Sequence, residues 1–179
     1  MMILVTGGSG SGKSEYAEGL YRDFSMEHKK YYLATMEVYG EEGRKRVQKH
    51  RDMRRGKGFE TIEQPKNIKD SLLKMTKNSK AVLLECMSNL VANEMFGKEQ
   101  RSADETVKKV VSELEDLEKE VEEFVIVTNN VFEDGIKYDE GTMEYIRALA
   151  KVNRILTKKA DQVIEVVVGI PLVLKGEEK

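Results

Sequence analysis

Gly7-Gly8-Ser9-Gly10-Ser11-Gly12-Lys13-Ser14 has the form G-x-x-x-x-G-K-S and follows, after Thr6, on the apolar run Met2-Ile3-Leu4-Val5. Glycines at this spacing let the backbone wrap closely around an anion, and the positive end of the following helix favours the same charge. In that arrangement Lys13 would reach the β and γ phosphates of a nucleoside triphosphate, and the Ser14 hydroxyl would ligate Mg²⁺. A Gly/Ser-rich turn could also be no more than a flexible loop. Here Ile3-Leu4-Val5 predicts a buried strand before it, and Glu15 to Tyr21 a helix after it, with apolar or aromatic residues at 16, 17, 20 and 21. Strand, loop and helix in that order point to phosphate binding.

A second constellation lies in Glu41 to Arg55, EEGRKRVQKHRDMRR, which holds eight basic residues with His50 included. On a helix Arg46, His50 and Arg54 share one face at i−4, i and i+4. Flanking guanidinium groups oppose a further positive charge and favour a neutral imidazole near pH 7. Such a ring has a free lone pair to attack an α-phosphorus, with Arg46 and Arg54 to hold the polyphosphate and stabilise departing pyrophosphate. A solvated basic helix, or a kinase lid that uses the arginines without the histidine, would leave the same pattern. His28, in Met-Glu-His-Lys-Lys, reads as an exposed loop residue.

Glu85 ends the apolar run Ala81-Val82-Leu83-Leu84, where a carboxylate could reach Mg²⁺ directly or through water. Carboxylates also end strands without any function. Asn129 and Asn130 follow the run Phe124 to Val127 and Thr128, placed either to contact a ligand or to satisfy loop backbone groups.

The elements that must position these residues are legible as apolar runs at 2–6, 31–34, 81–84, 124–127 and 163–168, separated by helical patterns. Near-continuous strand hydrophobicity with alternating helices predicts an α/β fold, P-loop NTPase-like, whose mainly parallel sheet carries helices on both faces. Ligands of such sheets bind at the carboxyl ends of the strands. Residues 102–123 read as an amphipathic helix that opens on a capping box at Ser102 and Glu105, its Glu and Lys forming a solvated face. Residues 142–160 read as another, with Ile146, Leu149, Val152, Ile155 and Leu156 inward. Gly169 to Lys175 predicts a turn into a short last strand, with Pro171 marking an edge or a strand start.

The 179 residues suit a single nucleotide-binding catalytic domain over 1–179. Thirty basic and 32 acidic residues nearly cancel, so no overall field points to nucleic acid or a membrane surface. The lone Cys86 cannot form an internal disulfide, and no Cys/His cluster has zinc-site spacing. With neither a secretory signal pattern nor an apolar run long enough to span a bilayer, a cytoplasmic protein is expected.

ILVTGGSGSGKS at the start, YYLAT at 31–35, R-V-x-x-H-R at 46–51, LLECMSNLVANEMF at 83–96, VIVTNNV at 125–131 and ADQVIEVVVGIPLVLK at 160–175 together resemble the adenosylcobinamide kinase/adenosylcobinamide-phosphate guanylyltransferase family of cobalamin biosynthesis. The resemblance spans nearly the whole chain. It implies phosphorylation of the aminopropanol hydroxyl of adenosylcobinamide from ATP or GTP, then transfer of GMP from GTP to that phosphate through a histidine. The matching histidine is His50; Gly7 to Ser14 match the phosphate loop, and Glu85 the acidic residue of the LLEC segment. The resemblance also implies a trimer. After V-T-N the chain departs from the family, which usually carries Glu where Asn130 stands and then a G-x-G-I-V-P-like stretch. An amide can serve neither as a base nor as a charged metal ligand, which puts the kinase half in question. Two alternatives are a small-molecule or nucleoside-phosphate kinase with a basic lid, and a GTP-binding regulatory protein that acts on no corrinoid.

Overall fold

The inner strands of the sheet bury both of their faces, so their residues are apolar in succession rather than in alternation. In the computed structural model, which describes residues 1–21, 29–37, 41, 48, 56–76, 80–131, 135–136 and 138–177, seven strands form one sheet. They are β1 (Met2–Thr6), β2 (Lys29–Ala34), β3 (Phe59–Glu63), β4 (Lys80–Glu85), β5 (Glu123–Val127), β6 (Gln162–Val167) and β7 (Ile170–Lys175), in the order β3-β2-β4-β5-β1-β6-β7. All neighbours are parallel except β6 and β7.

Ile3, Val5, Leu83, Val125 and Val127 point to one side of the sheet and meet Ala17 and Tyr21 of the α1 region (α1, Lys13–Leu20). Met2, Leu4, Val82, Leu84, Phe124 and Ile126 point to the other, where they pack on α2 (Met87–Met95), α3 (Ala103–Lys119), α4 (Glu140–Lys159) and a 3-10 helix at Ile68–Lys74. Helices therefore cover both faces, as a parallel sheet requires. This is the P-loop NTPase-like α/β fold that the sequence predicts.

Local signals hold at several ends. Ser102 caps α3 by accepting from the Glu105 N–H at 3.3 Å, while the Glu105 carboxylate accepts from the Ser102 N–H at 2.9 Å. Val168 and Gly169, with φ of 45° and 84°, form the two-residue turn between β6 and β7. That turn ends β6 at Val167, one residue before the apolar run does. Pro171 lies in the edge strand β7, where a missing N–H costs no ladder bond on the open side.

Three features differ from expectation. β3 is a full strand, but Ile62 is its one buried residue, so it left no apolar run. The 3-10 helix buries Ile68 and Ser71, three apart, a period that the helix and strand templates miss. On α3 the solvated face is interrupted by Lys109 and Glu113, which join a buried network. Glu94, 1% exposed, binds Lys109 at 2.8 Å, Arg101 at 3.2 Å and the Asn67 N–H at 2.6 Å, and Lys109 binds Glu113 at 2.7 Å. This network ties α2 to α3 and to the loop after β3.

Candidate functional site

The carboxyl ends of β1, β4 and β5 meet around the glycine-rich loop. Gly7 leaves β1 at a φ of 155°, and a Cβ there would stand 2.6 Å from the Val166 carbonyl oxygen and 2.7 Å from Ser11 Oγ. Gly12, at φ 90°, is the N-cap residue of α1 and supplies no side-chain cap, so the first-turn N–H groups are left for a ligand. The loop is braced from outside: the Gly169 N–H donates to Ser11 O at 2.8 Å, the Asn130 N–H to Gly7 O at 3.2 Å, and the Ser11 N–H to Gly8 O at 3.3 Å. Gly8, Ser9 and Gly10 are exposed at its rim.

Lys13 folds back over the loop and donates from Nζ to Gly8 O at 2.9 Å. It is buried, and loss of hydration lowers its pKa from the usual lysine value, against the opposing pull of the nearby Glu85 and Cys86. The Ser14 hydroxyl donates to Glu85 Oε1 across 71 residues of sequence. The second carboxylate oxygen, Glu85 Oε2, is buried and has no hydrogen-bond partner, as is Ser11 Oγ. Lys13, Ser14 and Glu85 are thus brought together from α1 and β4.

That orphaned oxygen fits a hard cation or its water. Among the described residues no group of three or more His, Cys, Asp or Glu could hold a metal, so a cation here would take its other ligands from phosphate and water, the usual habit of Mg²⁺. Residues Ser14 and Glu85 are the ones that would hold it.

The edge beyond Glu85 is pinned by hydrogen bonds. Thr35 Oγ1 accepts from the Cys86 N–H at 2.7 Å and donates to Cys86 O at 2.8 Å, and the Thr35 N–H donates to Glu85 O at 3.0 Å. Burial pushes the Cys86 thiol up, and its sulfur lies 3.0 Å from Ser88 Oγ. Asn129 Nδ2 donates to Ser88 Oγ at 2.7 Å, so its amide serves the protein framework. The Tyr145 hydroxyl donates to Ser88 O at 3.2 Å, and burial raises its pKa to about 12. Ser88 and Tyr145 carried no motif signal: a serine in the first turn of a helix and a tyrosine one place off the apolar stripe read as ordinary.

His50, Arg46 and Arg54 lie outside the described residues. The segment that holds them lies between Glu37, after β2, and Gly56, before β3, and within it Glu41 and Gln48 are the described residues.

Residues 3–174 match the family described as cobinamide kinase / cobinamide phosphate guanyltransferase. The bifunctional adenosylcobalamin biosynthesis protein CobU of Salmonella typhimurium (strain LT2) is 32% identical over 189 positions, covering 98% of this chain and all of the relative. A protein of the same name from Escherichia coli K12 is 28% identical, with 98% and 100% coverage. The bifunctional adenosylcobalamin biosynthesis protein CobP of Pseudomonas aeruginosa is 24% identical, with 99% coverage of both chains. Among solved structures, the flagellar accessory protein FlaH of Methanocaldococcus jannaschii superposes with a TM-score of 0.49 at 14% identity, over 98% of this chain and 78% of that one.

The buried lysine generates a pH prediction. Its charge favours phosphate binding and its pKa is depressed, so the charged form is lost at lower pH than for a free lysine. Dissociation constants for GTP measured from neutral to alkaline pH should rise through a titration below 10.5. Lys13→Ala should bind GTP more weakly at neutral pH and lack that titration. An unchanged alkaline limb in Lys13→Ala would assign the titration to another group.

Proposed function

Since the chain belongs to the cobinamide kinase / cobinamide phosphate guanyltransferase family, we propose that it phosphorylates adenosylcobinamide and then converts the phosphate to adenosylcobinamide-GDP. The observation that carries the reading is the convergence of Lys13, Ser14 and the half-satisfied Glu85 on a braced phosphate loop.

In the first step the aminopropanol hydroxyl oxygen attacks the γ-phosphorus of ATP or GTP, and the bond to the β,γ-bridging oxygen breaks. The nucleoside diphosphate leaves and the hydroxyl proton is released. In the second, a ring nitrogen of His50 attacks the α-phosphorus of GTP and pyrophosphate departs. A phosphate oxygen of the corrinoid then attacks the same phosphorus, the P–N bond breaks, and the imidazole is restored. Lys13 and the loop amides from Gly7 to Ser14 hold the β and γ phosphates in both reactions, and Arg46 and Arg54 offset charge on the leaving pyrophosphate. Mg²⁺ bound by Ser14 and Glu85 would supply further charge stabilisation at the phosphates.

Two broader features support the rest of the reading. No helix among the described residues is long and apolar enough to cross a membrane, and the reading we propose is of a cytoplasmic enzyme acting on small-molecule substrates. Ile170, Leu172 and Leu174 alternate along one face of the edge strand β7 and are 60%, 45% and 61% exposed. A second copy of the chain would cover them, and a homotrimer is the assembly we propose.

Incubation with GTP labelled at the α-phosphate and Mg²⁺, without corrinoid, should leave acid-labile, hydroxide-stable label on the wild type and none on His50→Ala. Absence of label despite GTP binding would instead favour the kinase with a basic lid. Assayed separately, phosphorylation of adenosylcobinamide should be the weaker reaction, because Asn130 cannot act as a base, and Asn130→Glu should raise it. Light scattering of the purified protein should give the mass of three chains, and Leu172→Glu with Leu174→Glu should give one. A monomeric wild type at micromolar concentration would remove the assembly from the reading.

A further inference from the structure

Beyond the phosphate loop, the ligand edge of the sheet holds a second concavity of about 580 Å³, within the range of small-molecule sites. Its walls come from three places that the fold brings together: Glu37 after β2, Lys66 after β3, and Asn93, Phe96 and Gly97 at the end of α2. Phe96 is 56% exposed, a large aromatic ring presented to the opening rather than to the core. Lys66 reaches Glu37 at 3.0 Å, which gives the apolar platform a charged rim. A Cβ on Gly97 would stand 3.0 Å from Lys66 Nζ and 2.8 Å from Asn93 O, so the glycine keeps this floor open.

The cavity is built in advance of any ligand. Asn93 Nδ2 donates to Thr35 O at 2.8 Å and to Pro65 O at 3.0 Å, joining α2 to the loops after β2 and β3. The buried Glu94 network holds the same turn from below. Phe96 leans on Tyr145, ring centres 6.3 Å apart, and Tyr145 binds Ser88 O at the opposite end of α2. One rigid helix therefore separates Glu85 from Phe96. Its nine residues span about 13 Å at 1.5 Å per residue.

We propose that this cavity seats the corrin macrocycle of the acceptor, with Phe96 against an edge of the ring. The inference rests on the corrinoid reading above and deepens it. The acceptor hydroxyl of cobinamide is carried at the end of an aminopropanol amide arm, so a macrocycle cannot sit on the phosphate loop while its hydroxyl attacks there. It needs a seat at arm's length, and the span of α2 provides that separation. A corrin ring is an apolar macrocycle fringed with primary amides; an exposed aromatic ring bordered by Glu37, Lys66 and Asn93 offers the complementary surface. A purine would fill only a fraction of this volume.

Phe96 is exposed, so Phe96→Ala should leave the fold intact. Equilibrium dialysis of cobinamide should show binding weakened about tenfold in Phe96→Ala, the scale of one aromatic stack, and restored in Phe96→Tyr. The label left by GTP alone should be unchanged in both variants. Equal cobinamide binding by Phe96→Ala and wild type, or no cobinamide binding by the wild type, would overturn the assignment. Loss of GTP labelling in Phe96→Ala would also overturn it and mark the cavity as a nucleotide site. If the wild type binds cobinamide through Phe96 yet neither labels nor turns over, the seat stands and the enzymatic reading falls.

Discussion

Backbone crowding at Gly7 is the constraint on which the rest of the site depends. The chain must turn off β1 beneath the carbonyl of Val166, and no atom beyond Cα fits there, since a Cβ would approach that oxygen to 2.6 Å. Because β6 supplies the blocking carbonyl and the turn after it supplies the Gly169 N–H that grips Ser11 O, the loop is shaped by strands remote in sequence. Parallel pairing of β1 with both β5 and β6 fixes those strands at the distance the loop needs. A loop held this way has little conformational freedom left to lose on binding a phosphate.

Burial sets the electrostatics of what the loop presents. Lys13 has given up much of its hydration, a cost that the Gly8 carbonyl and the neighbouring Glu85 only partly offset. A polyphosphate would supply the missing negative charge, and in a water-poor site that attraction is stronger than at the surface. Glu85 is in the complementary condition: one oxygen satisfied by Ser14, the other buried without a partner. The two residues are incompletely satisfied by the protein itself, which is the condition expected of groups that wait for a ligand and its cation.

Much of this was legible in the sequence because loop and core obey local rules. The run Gly7 to Ser14 announces its geometry by residue type, and strands buried on two faces announce themselves as apolar runs. What was hidden depends on contacts between distant segments. β3 hides because an edge strand with one buried residue has no pattern to read. Lys109 and Glu113 look like members of a solvated face until Glu94, from another helix, is set against them. Ser88, Tyr145 and Phe96 acquire meaning only when α2 and α4 are packed side by side, which no spacing rule along one helix foretells. His50 and its arginines were the reverse case, prominent by composition alone.

The departure at Asn130 bears on the two proposed reactions unequally. Its backbone N–H is tied to Gly7 O, so an amide in place of the carboxylate of resembling sequences changes charge and proton affinity while the chain stays anchored. Attack by a neutral imidazole on the α-phosphorus releases no proton from the nucleophile's attacking atom, and the incoming phosphate of the second transfer is already ionised at neutral pH. Neither step asks for a base at position 130. A hydroxyl nucleophile does carry a proton that must leave, and phosphoryl transfer benefits from a carboxylate that positions or accepts it. Among the described residues Glu85 is the carboxylate beside Lys13 and Ser14, but in the proposed arrangement it is engaged with the cation. Loss of one negative charge at the end of β5 therefore falls on phosphorylation and leaves guanylyl transfer its full set of groups.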